Sequence, residues 1–269
     1  MVRALWTAAS GMTSQQLTVD TIANNLANVN TVGYKREATN FKSLLYQNLT
    51  GPNDEDNRPE PMQVGHGVRA VGNSRNYTMG ILQQTDNPTD VAIEGKGFFT
   101  VLKGEQVTYT RDGSFRFSMT EDGTYAFVTS DGDPVLSTEG EPIVMDSTIP
   151  VDSLIIGRDG SIGYMDEATN TLINLAQLNI VQFPNVNGLE AIGSNLFIET
   201  AASGAPISEA EGEDLVRSNL RSGYLEGSNV QVADEMVKLI VAQRAYELNS
   251  TAIRTVDTML QQANELKRG

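Results

Sequence analysis

The sequence predicts an α+β fold in which paired long N- and C-terminal helices, coiled-coil-like in their spacing, flank a central, mainly antiparallel β-domain. Three observations predict it. Val230 to Arg268 is a run of 39 residues with no glycine and no proline, in a chain of 269 residues that carries 24 of one and 9 of the other. Val2 to about Val32 repeats apolar residues at spacings of three and four, which places them on one helix face. The text between is cut by Asp-Gly pairs into short runs of β-branched and aromatic residues, the pattern of hairpins.

In chain order, Leu5, Ala8, Met12, Gln15, Val19, Ile22, Leu26 and Val29 form the stripe of the first helix. Gly11 lies inside it and costs about 1 kcal/mol relative to alanine. Gly33 reads as the residue just past the helix end. Asn24, Asn25, Asn28 and Asn30 cluster before it. Asparagine is a poor helix former that bonds readily to backbone, so these are either caps or polar locks between subunits. Residues 34–63 begin with Lys35-Arg36-Glu37, pass an apolar patch at Phe41, Leu44, Leu45 and Tyr46, and end in a polar stretch with Pro52, Pro59 and Pro61. They read as an extended linker. Asp54, Glu55 and Asp56 lack the glycine spacing and distal glutamate of a calcium loop.

Residues 64–227 read as β-structure. Gly97–Leu102, Ser114–Ser118, Tyr125–Val128 and Leu175–Phe183 are strand-like, and Asp112-Gly113, Asp122-Gly123, Asp131-Gly132 and Asp159-Gly160 are turn signals. A compact antiparallel domain, partly barrel-like, is expected there. The chain then divides into a terminal helical domain of residues 1–33 and 228–269, the linker and the β-rich domain.

The last helix has a marked start. Ser228 with Gln231 fits a capping box. Asp234 and Glu235 fall in the early turns, and Lys267 and Arg268 in the last, as the helix dipole favours. At 1.5 Å per residue the helix spans roughly 55–60 Å. Ala242, Ala245, Asn249, Ala252, Val256, Met259, Ala263 and Leu266 make one seam, and Leu239, Tyr246, Ile253 and Leu260 a second at seven-residue intervals. A heptad expects a helix against it, and the two terminal helices most simply pair with each other. Burying Leu5, Met12, Val19, Ile22 and Leu26 is worth about 8–15 kcal/mol gross. Trp6, Leu17, Val237, Ile240 and Val241 lie off the seams and are expected to stay exposed, a surface that points to assembly with further copies.

Composition narrows the function. The net charge is −15, and it is concentrated in residues 51–225, which carry ten basic and twenty-six acidic groups. An acidic centre repels nucleic acid phosphates. There is no cysteine, so disulfide and thiol chemistry are absent. No apolar run reaches the roughly 20 residues of a membrane span. The short apolar stretch after Arg3 is broken by Thr7 and Ser10, so the N-terminus is expected to be retained rather than cleaved as a signal peptide.

Chemical motifs are sparse. Gly65-His-Gly-Val-Arg-Ala70 fits a dinucleotide fingerprint by letters alone. It follows a proline-rich loop and opens a β-type run rather than a helix. His66 is the only histidine, so no histidine-rich metal site is supplied; a Ser-His-Asp triad would need His66 as its base, and no G-x-S-x-G elbow occurs. Glu94, Asp112 and Asp131 could pair as hydrolytic carboxylates, but acidic residues at turns are ordinarily solvated. No catalytic, cofactor-binding or metal-ligating residues are assigned, and no cofactor is expected.

Two stretches at the ends carry a resemblance. Met1-Val-Arg-Ala-Leu-Trp-Thr-Ala-Ala-Ser-Gly-Met12 and Ile22-Ala-Asn-Asn-Leu-Ala-Asn-Val-Asn-Thr-Val-Gly-Tyr-Lys35 resemble the N-terminal signature of the bacterial flagellar rod and hook proteins. Gly223-Tyr-Leu-Glu-Gly-Ser-Asn-Val230 and Ala242-Gln-Arg-Ala-Tyr-Glu-Leu-Asn-Ser250 resemble the C-terminal one. Gln63-Val-Gly-His-Gly-Val68, Ile93-Glu-Gly-Lys-Gly-Phe-Phe-Thr-Val101 and Tyr109-Thr-Arg-Asp-Gly-Ser-Phe115 are similar in the middle. The opening and the Gln63–Val68 segment look like the distal-rod branch of the family.

The resemblance implies a structural subunit, not an enzyme, exported through the flagellar type III apparatus. It implies self-assembly into a hollow helical shaft that carries torque from motor to hook, with the terminal helices as inner tube and the β-domain outside. Implied partners are further copies of itself, proximal rod proteins, hook or hook-junction proteins, and rod-surrounding rings where an outer membrane exists. Nucleic acid and membrane insertion are not expected. Leu5, Met12, Ile22, Asn24, Asn25, Leu26, Asn28, Tyr246, Asn249, Ile253, Val256 and Leu260 are nominated for subunit assembly. Pro52, Asp54, Pro59 and Pro61 are nominated for a rod-specific loop.

Overall fold

A computed structural model describes residues 2–48, 63–120, 123–146, 149, 153–166, 171–210, 212 and 215–268. The rod-specific loop residues Pro52, Asp54, Pro59 and Pro61, and the Asp122 turn position, lie outside the described residues. The fold is α+β: a helix near each end of the sequence and a mainly antiparallel β-body between them. The chain forms two compact units that alternate along the sequence. Unit 1 holds residues 1–27, 37–76 and 231–269, and unit 2 holds 28–36 and 77–230.

Unit 1 contains α1 (Val2–Ala27), β1 (Glu37–Ser43), β2 (Tyr46–Asn48), β3 (Gln63–Gly65), β4 (Val68–Arg75) and α2 (Val232–Arg268). The two helices pack against each other, and α1 also packs on β1 and β4. β1 pairs with β4 antiparallel through a bulge at Asn40/Phe41, and β2 pairs with β3. The described residues 37–48 of the segment read from sequence as linker thus supply strands to two two-stranded ribbons with the start of the β-type text, and the β1–β4 ribbon packs on α1.

Both helix boundaries differ from the expectation. α1 ends at Ala27, and residues 28–33 are turns. Thr31 donates to the Asn28 carbonyl oxygen at 3.2 Å, and Tyr34 to the Thr31 oxygen at 3.4 Å. Gly33, with φ +69°, closes this later turn instead of the helix. At the other end, Ser228 is not the N-cap. Its Oγ accepts the Val230 N–H at 3.3 Å, two residues on, while the Glu235 N–H donates to the Gln231 carbonyl at 3.0 Å. The hydroxyl is used in a local turn, and the helix starts three residues later than a capping box at Ser228 requires.

Unit 2 contains β5 (Leu82–Gln84), β6 (Val91–Glu94), β7 (Phe98–Lys103), β8 (Gln106–Thr110), β9 (Arg116–Met119), β10 (Thr124–Val128), β11 (Val144–Asp146), β12 (Leu154–Ile156), β13 (Ser161–Asp166) and β14 (Thr171–Gln177). It continues with β15 (Ile180–Gln182), β16 (Glu190–Gly193), β17 (Leu196–Ile198), β18 (Ile207–Ser208), β19 (Asn219–Ser222) and β20 (Tyr224–Glu226). The largest sheet has the order β16-β17-β8-β7-β15-β18. Among the described residues it is open at both edges, and they do not give it the barrel-like closure expected from the sequence.

Successive residues of a strand face opposite sides, and β7 uses both. Phe99 joins Val91, Phe115, Phe127, Ile162 and Leu220 in the main core, 4.9 Å from the Phe115 ring. Phe98 faces the other way, into a smaller cluster with Tyr109, Phe183 and Phe197. Full burial of each phenylalanine contributes about 1.5–3 kcal/mol, so β7 anchors two cores at once. Asp131-Gly132 and Asp159-Gly160 are turns with left-handed glycines, as their spacing predicts. Asp112-Gly113 is not a hairpin: β8 pairs with β7 and β17, and β9 with β10.

Candidate assembly surface of the terminal helices

The helices of unit 1 fix the geometry of the surface. Asn25 on α1 meets Glu235 on α2, its Nδ2 donating to Oε2 at 3.1 Å. Gly11 meets Asn249, whose Nδ2 would lie 2.9 Å from a Cβ added there. The two contacts are equally spaced along both helices, so the helices run antiparallel in straight register. Gly11, costly to helix stability in isolation, is the gap that admits the Asn249 side chain.

Asn25 is the polar centre of this unit and is fully buried. Its Nδ2 also donates to the Glu37 carbonyl at 2.8 Å, and its Oδ1 accepts the Glu37 N–H at 2.9 Å. The amide therefore pairs with one backbone residue as a neighbouring strand would, tying the end of α1 to the start of β1. Four residues earlier, Thr21 Oγ1 lies 2.9 Å from Thr39 Oγ1. Residues 21 and 25 share a helix face and 37 and 39 share a strand face, so both contacts follow from one docking. Glu235 is 2% exposed, and its other oxygen accepts from Lys238 Nζ at 2.6 Å. Sequence reasoning assigned Glu235 to the helix dipole alone; its partner Asn25 stands 210 residues away, where no local pattern shows it.

The turn between β3 and β4 packs on α1 in the same unit. Gly67, with φ +107°, leaves room for Ser10, whose Oγ would lie 2.2 Å from a Cβ at that position. A side chain there would meet both strained backbone and a clash.

The nominated assembly residues fall into groups. Ile22 and Asn25 are buried within the chain. Leu5, Met12, Leu26, Asn249, Ile253, Val256 and Leu260 are half-buried, and Asn28, in the turn after α1, is half-buried with Thr31 Oγ1 donating to its Oδ1 at 3.1 Å. Asn24 and Tyr246 are exposed. Of the seam residues, Ala252, Met259, Ala263 and Leu266 are also exposed, Leu266 to 85%. The register accounts for the last three, because the start of α1 falls opposite about Thr258 at equal rise along both helices, and α2 continues beyond it.

The residues placed off the seams are exposed as expected: Trp6, Leu17, Val237, Ile240 and Val241. Leu248 joins them at 72% exposure. On α2, positions 237, 240, 241 and 248 lie on one face, opposite buried Ala242 and half-buried Ile253. The helix is thus apolar on two sides, and only one side is used within the chain.

Two of the carboxylates considered for hydrolysis, Glu94 and Asp112, are held by other side chains. Glu94 accepts from Arg221 Nε at 3.2 Å. Asp112 accepts the Ser114 hydroxyl at 2.7 Å and N–H at 3.0 Å, and burial raises its carboxyl above the ordinary range despite these bonds.

Comparison with known proteins bears on the same elements. Residues 5–35 match the family described as flagella basal body rod protein, 92–164 the flagellar hook protein FlgE/F/G D1 domain, and 221–266 the flagellar basal body rod FlgEFG protein C-terminal. The chain is 47% identical to the flagellar basal-body rod protein FlgG of Borreliella burgdorferi, with all of both chains covered. It is 37% identical to the protein of the same name from Bacillus subtilis, again over the whole of each chain. It is 31% identical to the flagellar hook-basal body complex protein FlhP of Bacillus subtilis, over 99% of this chain and 100% of that one.

Proposed function

Because the chain belongs to the flagellar basal-body rod and hook protein family, we propose that it builds the distal rod, polymerising helically into a hollow drive shaft that transmits torque from motor to hook. It is a structural, axial component of the flagellar basal body. The observation that supports polymerisation is the second apolar face of α2. Val237, Ile240, Val241 and Leu248 are exposed on a helix whose opposite face is already covered by α1. A contact between this face and a different surface of the next copy builds an open filament when its rotation does not close into a ring.

In this reading the α1–α2 pair forms the coiled-coil-like wall of the inner tube. The contacts at Gly11 and Asn25, matched by Asn249 and Glu235, are two heptads apart on each helix, which supports it. Leu5, Met12, Ile22, Asn25, Leu26, Asn249, Ile253, Val256 and Leu260 act by setting that pair, and Asn24, Asn28 and Tyr246 by meeting neighbours. Residues 1–33 and 228–269 serve as inner tube, 34–63 as linker and rod-specific loop, and 64–227 as outer layer. The further partners are proximal rod proteins, hook or hook-junction proteins, surrounding rings where an outer membrane is present, and the type III export apparatus.

A second reading, another rod or hook-like axial protein, is favoured by the likeness to FlhP. Complementation of a strain lacking its distal rod protein separates the two: restored motility is expected, and a failure beside successful rescue by the Borreliella relative would assign the chain elsewhere. Electron microscopy of concentrated protein tests the shaft itself. Tubes are expected; discrete closed oligomers would sink it.

A further inference from the structure

Unit 2 receives the chain at residue 28, releases it at 36, receives it again at 77 and releases it at 230. Three of these four passages meet at one carboxylate. Lys35 Nζ donates to Glu226 Oε1 at 2.6 Å and to the Thr78 carbonyl at 2.9 Å. The Gly80 N–H donates to the same Oε1 at 2.8 Å, and the Gly33 N–H to the Glu226 carbonyl at 2.8 Å. Asn229 completes the set: its Oδ1 accepts the Arg36 N–H at 2.8 Å and its Nδ2 donates to the Thr78 carbonyl at 3.0 Å. From the body of the unit, Arg111 reaches Glu226 Oε2 at 3.3 Å, bonds the Gly95 carbonyl at 2.9 Å and stands 5.0 Å from the Phe98 ring centre.

The three charged side chains are at most 2% exposed. Burial depresses Lys35; Glu226 opposes this and Arg111 reinforces it. Two buried cations therefore share one anion as nearest partner, and the Arg111 Nε has no hydrogen-bond partner among the described residues. Removing one member of such a cluster is far more costly than the cluster is stabilising, because it leaves desolvated charge behind. A chain passage cannot loosen alone without exposing the others to that penalty.

We propose that Glu226 is a latch that couples the passages at 33–36, 78–80 and 226–229, so that all three hold or release together while the cores of unit 2 stay closed. This goes beyond the shaft reading and does not depend on it, since the latch lies within one unit of one chain. It assigns Lys35, Arg111 and Glu226 as positioning residues for three of the segments by which the chain enters and leaves unit 2.

Hydrogen exchange of the full-length monomer tests it. Glu226→Gln keeps the shape and an acceptor for Gly80 but removes the charge. Protection at 33–36, 78–80 and 226–229 is expected to fall together, by about a hundredfold or more, while β7 and β15 change by less than about threefold. Lys35→Met leaves the Arg111 pair in place and is expected to give a smaller but still joint loss at the same three segments. It serves where Glu226→Gln does not fold. Thr108→Val is the control: this buried hydroxyl on β8 donates to the Val101 carbonyl at 3.0 Å and touches none of the latch residues, and its loss is expected to spare all three passages. Loss confined to one passage, or equal loss throughout unit 2, would overturn the latch and leave the shaft reading standing.

Discussion

At the scale of residues, the chain relies on a few buried polar groups to join segments that sequence keeps far apart. Asn25 is the clearest. It satisfies the backbone of Glu37 in both directions and one oxygen of Glu235. Asn25→Leu removes these bonds while keeping the number and branching of the side-chain heavy atoms. A buried group left without its partner costs about 1–3 kcal/mol, more when charged, so unfolding in denaturant should show a loss of about 2–5 kcal/mol. Asn25→Asp should be worse, because it sets a second carboxylate against Glu235. A loss below about 1 kcal/mol would mean that the Asn25 bonds matter little to unit 1. The bonds described for Asn25 all lie within its own chain.

At the scale of elements, α2 separates two roles. Leu26→Asp and Ile253→Asp strike half-buried positions of the helix-pair contact, and both are expected to stop assembly but not secretion. Leu248→Asp strikes the exposed outer face. It should leave monomer helicity by circular dichroism unchanged and still abolish filaments. Filaments of normal length from Leu248→Asp would remove the outer face from the assembly surface. The helices, their apolar stripes and the exposed Trp6 and Val237 were legible because a period near 3.6 is written in consecutive residues. The end of α1 was not, because the apolar spacing runs on through Val29 while the backbone turns after Ala27. The ribbon of β1 and β4 was half-read, since Lys35-Arg36-Glu37 looks like solvated charge. Lys35 and Glu226 meet across 191 positions, and only the folded chain shows that a lone glutamate between Leu225 and Gly227 is buried.

For the whole molecule, alkaline pH probes stability through Tyr109. Burial, with Glu199 nearby, pushes its phenol up to about 12 from 10. The folded state then holds a proton that the unfolded state gives up as pH rises above 10, so stability is unaffected below that and falls through the window from 10 to about 12. Tyr109→Phe should flatten the decline in melting temperature across this window; an unchanged slope would assign the alkaline loss to other groups. Unequal helix lengths have a wider consequence. With 26 residues in α1 and 37 in α2, α2 outruns its mate by about 16 Å at 1.5 Å per residue. Laid in courses like brickwork, copies with such an overhang leave no flat joint running straight across the column. A shaft so bonded has no ready plane along which twisting could shear it.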